Sequence, residues 1–439
     1  MTVYNINLGI GWASSGVEYA QSYRDQSFKL LGTDAKFIFS DLVLGNNLAD
    51  LTANLDFDDS QIVWLYNFFT DVKIAPSTYS PSQLEQDLDV SHRNVEKTID
   101  KAKSIIIYNF KDEDFIAVAR MDHHSKSNGI DQVSYVANNQ MVRRDFFSYT
   151  KYATEYYSGT QQNNHVTFRQ FYNEDGSVAY VQHLNHGKEL YEFADNRIYY
   201  SKNDLYREFL KELHFKQGDV IIIDRLDEDK QLQNAQLVFE NHGPAKLVVV
   251  VHAEHYDENY TNDSTILWNN FYEYQFTRSK DIAAYVVATD KQREILTAQQ
   301  KKYYKADVNV VTIPVGSLPK LRHPDPKNPR RRHSLITASR LANEKHVDWI
   351  IQAVVKAHEQ VPDLTFDIYG RGSNAGKLSQ MIQDHKANNV NSSVANNKSN
   401  SKLPQTGNAT SNVLRNAGLA TAALMILLAA GKAKRDTED

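Results

Sequence analysis

The sequence predicts an α/β protein: a largely parallel sheet, an antiparallel β-rich insertion within it, and a second, incomplete α/β unit after it. Three observations carry this. Val220–Ile223 and Leu247–Val251 are short, continuous apolar runs, as strands buried on both faces of a parallel sheet require. The stretch of roughly 80–200 instead repeats short runs rich in Ile, Val, Phe and Tyr, at Ser104–Phe110, Phe115–Met121, Val133–Val136 and Val166–Phe171, the pattern of a meander. Ser334–Ala338, a helical stripe from Val347 and Leu364–Tyr369 then read as a new strand–helix–strand unit.

The chain opens with a strand at Thr2–Leu8, a Gly-containing turn, and an amphipathic helix from Gly16 to Lys29. Strands follow at Lys36–Phe39 and Gln61–Tyr66. Asn5 and Asn7 are polar inside a strand that should be buried on both faces, so they either meet hydrogen-bond partners or face a site. Asn173–Gly176 separates two β-runs as a hairpin turn does. In the helix Asp204–Phe215, Leu205, Phe209 and Leu213 share one face. Tyr285–Ala288 and Val308–Ile313 continue the alternation. Ser317–His333, with four prolines and many cations, reads as a solvated linker, with an anion-binding patch as the alternative. Ala387–Lys402 is Asn/Ser-rich and poor in apolar residues, as disordered spacers are.

Composition narrows the function classes. The 439 residues are 41% hydrophobic, enough for two or three cored domains. A net charge of −5 gives no nucleic-acid footprint. The absence of cysteine excludes disulfides, thiolate metal sites and a Cys nucleophile. The opening MTVYNINLGIGW has neither the basic nor the apolar region of a signal peptide. Ala417–Gly431 is strongly apolar, but at about 15 residues it falls short of the roughly 20 that span a bilayer comfortably.

Five motifs could carry chemistry. Gly9-Ile-Gly11 followed by Gly16-Val17-Glu18-Tyr19 places a Gly turn between strand and helix, where backbone N–H groups can approach a diphosphate; a tight turn alone explains it equally. His252-Ala-Glu-His255 follows the strand Leu247–Val251, at the end where open α/β sheets bind ligands. A His there can bond a sugar hydroxyl or a departing phosphate, whereas a satisfied core His is the plain alternative. Its spacing is not that of a zinc protease, and no metal is expected. Arg340 and Lys345, in Ser339–Lys345, put two cations at a strand end, suited to a diphosphate or to an ordinary charged loop. Gly370-Arg-Gly372 ends another strand and permits close backbone approach to a ligand, or is only a turn. Leu403-Pro404-Gln405-Thr406-Gly407, an apolar stretch and the basic Lys432, Lys434 and Arg435 have the order of a Gram-positive cell-wall sorting signal.

Tyr4–Arg24 (YNINLGIGWASSGVEYAQSYR), Val249–Tyr256 (VVVHAEHY), Thr312–Ser317 (TIPVGS), Ser334–Lys345 (SLITASRLANEK) and Leu364–Gly370 (LTFDIYG) occur in that order. Together they resemble the GtfA subunits of the accessory-Sec peptide N-acetylglucosaminyltransferases of streptococci and lactobacilli, over about residues 1–386. The resemblance implies a retaining, family-4-type glycosyltransferase of GT-B fold, with no cofactor and no metal. It implies transfer of GlcNAc from UDP-GlcNAc to Ser/Thr of serine-rich-repeat adhesins, with a GtfB-type stabilising partner. Gly16–Tyr19 would border UDP, His252 the sugar, and Arg340 with Lys345 the diphosphate, with Gly370 among the nucleotide contacts. The domains expected are a first Rossmann-like domain at 1–78 and 203–316, an inserted β-meander domain at 79–202, a linker at 317–332, and a truncated nucleotide-binding domain at 333–386. A disordered spacer at 387–402 and the sorting signal with an apolar helix at 403–439 follow.

The family resembled continues well past Lys386, with a Glu-containing E-x7-E segment that grips the nucleotide ribose and sits at the donor sugar; the sorting tail stands in its place. The second domain is therefore expected to be small and marginal, with exposed edges, and transfer by the chain alone to be little or none. Without a leader, the expected location is cytoplasmic and peripheral to the membrane, with wall anchoring by sortase, at Thr406–Gly407, only if the chain is exported. A junction between a transferase gene and an adhesin gene would account for the combination. The competing reading is a catalytically inactive partner-binding, acceptor-binding or surface-anchored protein.

Overall fold

The computed structural model describes residues 1–12, 14–101, 104–121, 129–160, 163–224, 228–229, 232–316, 331–385 and 390–393. They fall in two compact units, one within 1–318 and the other within 319–411.

The first unit contains a seven-stranded parallel sheet. Its spatial order is Val310–Thr312, Ile282–Val287, Lys246–Val251, Val220–Ile223, Thr2–Asn7, Asp34–Phe39 and Ile62–Trp64. The chain winds outward in both directions from Thr2–Asn7 and Val220–Ile223, so the order reverses between these two strands. Such a reversal opens a crevice beyond the carboxyl ends of the strands. All four residues of Val220–Ile223 are buried, as their continuous apolar character requires.

The helix Gly16–Leu31 follows the first strand. Ser15 caps it in a reciprocal box with Glu18, and Gly32, at φ +64°, ends it in the left-handed conformation. Its buried face is partly polar, with Gln21, Ser22 and Asp25. Asn5 is satisfied within this frame: its amide donates to the Lys36 carbonyl and its oxygen accepts from Arg24. The expected strand Gln61–Tyr66 is shorter, because Leu65–Phe68 turns helical and buries Leu65 and Tyr66.

The insertion is a ten-stranded sheet running from Val95–Asp100 to Ile198–Tyr199, each strand antiparallel to its neighbours in sequence. Gly176, at φ +81°, makes the hairpin turn read from Asn173–Gly176. Aromatic packing joins the insertion to the parallel sheet in one core. Phe171 stacks on Tyr66 at 5.8 Å, and the Tyr180 hydroxyl donates to the Tyr66 carbonyl. Of the 25 tyrosines, Tyr180, Tyr191 and Tyr206 are wholly buried in this core.

The second unit has parallel strands Ser334–Ala338, Thr365–Tyr369 and Val390–Ser393 in that spatial order, with helices Val347–His358 and Ala375–Asp384. Ile351, Val354, Phe366 and Leu378 form its core. Within the disordered spacer expected at 387–402, residues 390–393 form a strand, and the others lie outside the described residues. Val390–Ser393 pairs with Phe366–Tyr369, and Val390 is buried. Backbone hydrogen bonds make this strand, so an Asn/Ser-rich composition hides it from sequence. Ser334–Ala338 is an edge strand among the described residues, with Leu335 45% and Ile336 71% exposed; on the following helix Trp349 is 64% exposed.

Most of the linker (317–330), the sorting motif Leu403–Gly407 and the apolar segment 417–431 lie outside the described residues. Among the described residues no helix is long and apolar enough to cross a membrane.

Candidate active site

Beyond the first strand, the Asn7 side chain organises the Gly turn. Its oxygen accepts from the Leu8 N–H and its amide donates to the Gly9 carbonyl. A concave cleft of about 420 Å³ opens here, lined by Gly9, Gly11, Ser14, Ser15, Glu18 and Asp41 among others. A side chain at Gly9 would come within 3.0 Å of the Asp41 carboxylate, whereas Gly11 and Gly16 face open space. The helix start is already partly capped: Ser15 Oγ accepts from the Val17 N–H, and the Glu18 carboxylate accepts from the Ser15 N–H. An anion placed here would therefore meet a carboxylate as well as helix N–H groups. Val17 is buried and Tyr19 is 44% exposed. Lys202 Nζ lies 3.4 Å from Asp41 at the same rim.

At the end of the neighbouring strand stands a buried charge cluster. Asp224, directly after Val220–Ile223, is wholly buried. Its Oδ1 accepts from Arg24 Nη2 at 2.6 Å and its Oδ2 from Arg24 Nη1 at 2.9 Å, a bidentate fork. Gln21 Nε2 donates to Oδ2 at 2.9 Å, and His252 Nε2 lies 2.8 Å from Oδ1. Burial by itself would raise the Asp224 carboxyl. The charge and hydrogen bonds of Arg24, then those of His252, outweigh it and hold the group well below the ordinary carboxylate range. Gln21 and Arg24 lie on the helix that begins at Gly16, so one element supports both the Gly turn and, through Asp224, the His252 ring.

His252 sits at the strand end, its side chain 10% exposed and its backbone N–H donating to the Tyr272 hydroxyl. His255 goes the other way. It is buried, bonds Gln299 through Nε2 at 2.9 Å and stacks on Trp268. Burial lowers its pKa, so it is a neutral core histidine. The H-x-x-H pattern thus holds one partly accessible histidine paired with a carboxylate and one buried in the core.

In the second unit, Arg340 is exposed and donates to Glu344 Oε1 at 2.6 Å, while Lys345 is exposed and has no ion pair among the described residues. Gly370 has a packing explanation: a Cβ there would lie 1.9 Å from the Ser339 carbonyl oxygen. Among the described residues no group of three or more His, Asp or Glu side chains gathers as a metal-ligand set.

Sequence reading overlooked Asp224, Arg24 and Gln21. The signal for Asp224 was the one used for His252, a polar residue at the carboxyl end of a buried apolar strand. Its partners lie 200 or more residues away on the first helix, beyond any local pattern.

The model of the GtfA extended beta-sheet domain matches residues 97–195, and that of the LPXTG cell wall anchor motif matches 395–439. The UDP-N-acetylglucosamine–peptide N-acetylglucosaminyltransferase GtfA subunit of Limosilactobacillus reuteri subsp. suis is 58% identical over 388 residues, which are 88% of this chain and 75% of that protein. The chain belongs to the GtfA subunit family. The GtfA subunit of Streptococcus gordonii is 47% identical over 88% of this chain and 74% of its own length. The crystal structure of the pneumococcal O-GlcNAc transferase GtfA in complex with UDP and GlcNAc superposes with a TM-score of 0.81 at 43% identity, over 89% of this chain and 75% of that one. A GtfA/B complex matches with a TM-score of 0.76 at 44% identity, over 89% and 76%. TarM, at 18% identity and a TM-score of 0.65, shares the fold. The GT-B-type α/β architecture with a large antiparallel sheet, expected from sequence, is thus shown, and the chain spans about three quarters of the length of these GtfA relatives.

Proposed function

We propose that this chain transfers GlcNAc from UDP-GlcNAc to Ser/Thr hydroxyls of serine-rich adhesins, working with a GtfB-type partner. The observation that carries the reading is His252, held by a buried carboxylate at the strand end of a sheet whose relatives are GlcNAc transferases. His252 meets the donor sugar. Arg340 and Lys345 take the diphosphate, since exposed cations can exchange a weak surface partner such as Glu344 for phosphate oxygens. Gly16–Tyr19 border the nucleotide, with Glu18 limiting how closely an anion approaches the helix start. Cationic side chains offset the leaving diphosphate without a metal. Domain boundaries are as given from the sequence, with the nucleotide-binding unit extended to include Val390–Ser393.

Turnover is slow. The second unit has three strands among the described residues, and its edge exposes Leu335 and Ile336, so its cations stand on a marginal support. Cell-wall attachment at Thr406–Gly407 by sortase follows if the chain reaches the cell surface. Otherwise it works in the cytoplasm at the inner membrane face. Labelled UDP-GlcNAc, a Ser-rich peptide and purified chain, with and without a GtfB-type protein, test the reading. Transfer that needs the partner and disappears in His252→Ala supports it; capture of partner and peptide with no release of UDP favours a purely binding protein.

A further inference from the structure

We propose that Asp224 is a positioning residue that fixes the tautomer and orientation of His252, and that Arg24 and Gln21 hold it in place for this task. The geometry leaves the carboxylate no other use. It is wholly buried, and the structure shows both oxygens occupied by two bonds each: Arg24 Nη2 and His252 on Oδ1, Arg24 Nη1 and Gln21 on Oδ2. A carboxylate only accepts hydrogen bonds, so the ring nitrogen that touches it must carry a proton. His252 Nε2 is therefore an N–H. In the neutral ring Nδ1 is left as the acceptor, and no bond to it is made among the described residues. The Arg24 fork prevents the carboxylate from rotating, and the Asn5 oxygen, at 2.7 Å from Nη1, fixes the fork in turn. Arg24 and Gln21 both belong to the helix that starts at Gly16.

The role rests on the reading of His252 as the sugar-facing group, but its test needs no turnover. The full chain is labelled with 15N-histidine, and His252 is assigned by loss of its signals in His252→Gln. Long-range 1H–15N spectra at neutral pH should show the Nε2–H tautomer, with that proton protected from solvent exchange. In Asp224→Asn one oxygen becomes an NH2, which accepts from neither Arg24 nor His252, and where it faces the ring Nε2 must become the acceptor. The expected spectrum shifts to the Nδ1–H tautomer or a mixture, and protection is lost. An Nδ1–H tautomer in the unsubstituted chain would overturn the proposal even if Asp224→Asn fails to fold. So would an unchanged tautomer in a folded Asp224→Asn. Loss of transfer without a tautomer change would likewise reduce Asp224 to a structural residue, whereas a tautomer change in a chain that transfers no GlcNAc would refute the transferase reading and leave this one standing.

Discussion

Removing Arg24 as Arg24→Met keeps most of the side-chain volume and deletes the cation beside Asp224. The pair is nearly dry, with side-chain exposures of 9% and 0%, and three charged or polar bonds are lost: two to Asp224 and one to Asn5. Breaking a buried pair from one side leaves an uncompensated charge and costs about 3–5 kcal/mol. Urea unfolding followed by tryptophan emission reads the first unit, because Trp64 and Trp268 are 3% exposed while Trp349 of the second unit is already 64% exposed. The pH dependence has a definite sign. In the unsubstituted chain the folded Asp224 carboxyl lies below its unfolded value, so its contribution is complete above about pH 4 and fades as pH falls through the folded value. Without Arg24, burial dominates and lifts the carboxyl above its unfolded value, so the variant gains stability on acidification. The gap between the two proteins should narrow from pH 8 to pH 5. A loss under about 1 kcal/mol at pH 7, or a gap that widens on acidification, would refute the assignment of Asp224 as a buried ion held by Arg24.

Other expectations concern single positions. Gly370→Ala should destabilise the second unit by about 1–3 kcal/mol through overpacking against the Ser339 carbonyl, whereas Gly16→Ala should cost well under that, read by proteolysis and thermal unfolding. Arg340→Ala should leave stability unchanged within about 0.5 kcal/mol, since the Glu344 pair is exposed, yet weaken UDP binding about tenfold or more by calorimetry. Ile336→Lys, at a 71% exposed edge position, should reduce concentration-dependent association in sedimentation without lowering the unfolding midpoint.

The parallel sheet was legible because burial on both faces writes itself as an uninterrupted apolar run, as at Val220–Ile223 and Leu247–Val251. The insertion was legible through its hairpins and aromatic runs. Val390–Ser393 was not, since its ladder is made by backbone groups, which an Asn/Ser-rich composition does not reveal. Asn5 and Asn7 signalled something unusual, and both meet hydrogen-bond partners: Asn5 bonds Arg24 and Lys36, and Asn7 bonds Leu8 and Gly9 of the Gly turn. His252 was singled out by its place at a strand end, where the structure puts it. Its supporting carboxylate was not, because a hydrogen-bonded cluster assembled from residues 5, 21, 24, 224 and 252 leaves no spacing to read.

The most direct measurement is GlcNAc transfer from labelled UDP-GlcNAc to a Ser-rich peptide by the full chain with a GtfB-type partner, run beside the 58% identical L. reuteri GtfA subunit. Under the transferase reading, incorporation depends on the partner, runs well below the relative's rate and is lost in His252→Ala. No incorporation at any enzyme concentration, or incorporation untouched by His252→Ala, would contradict it.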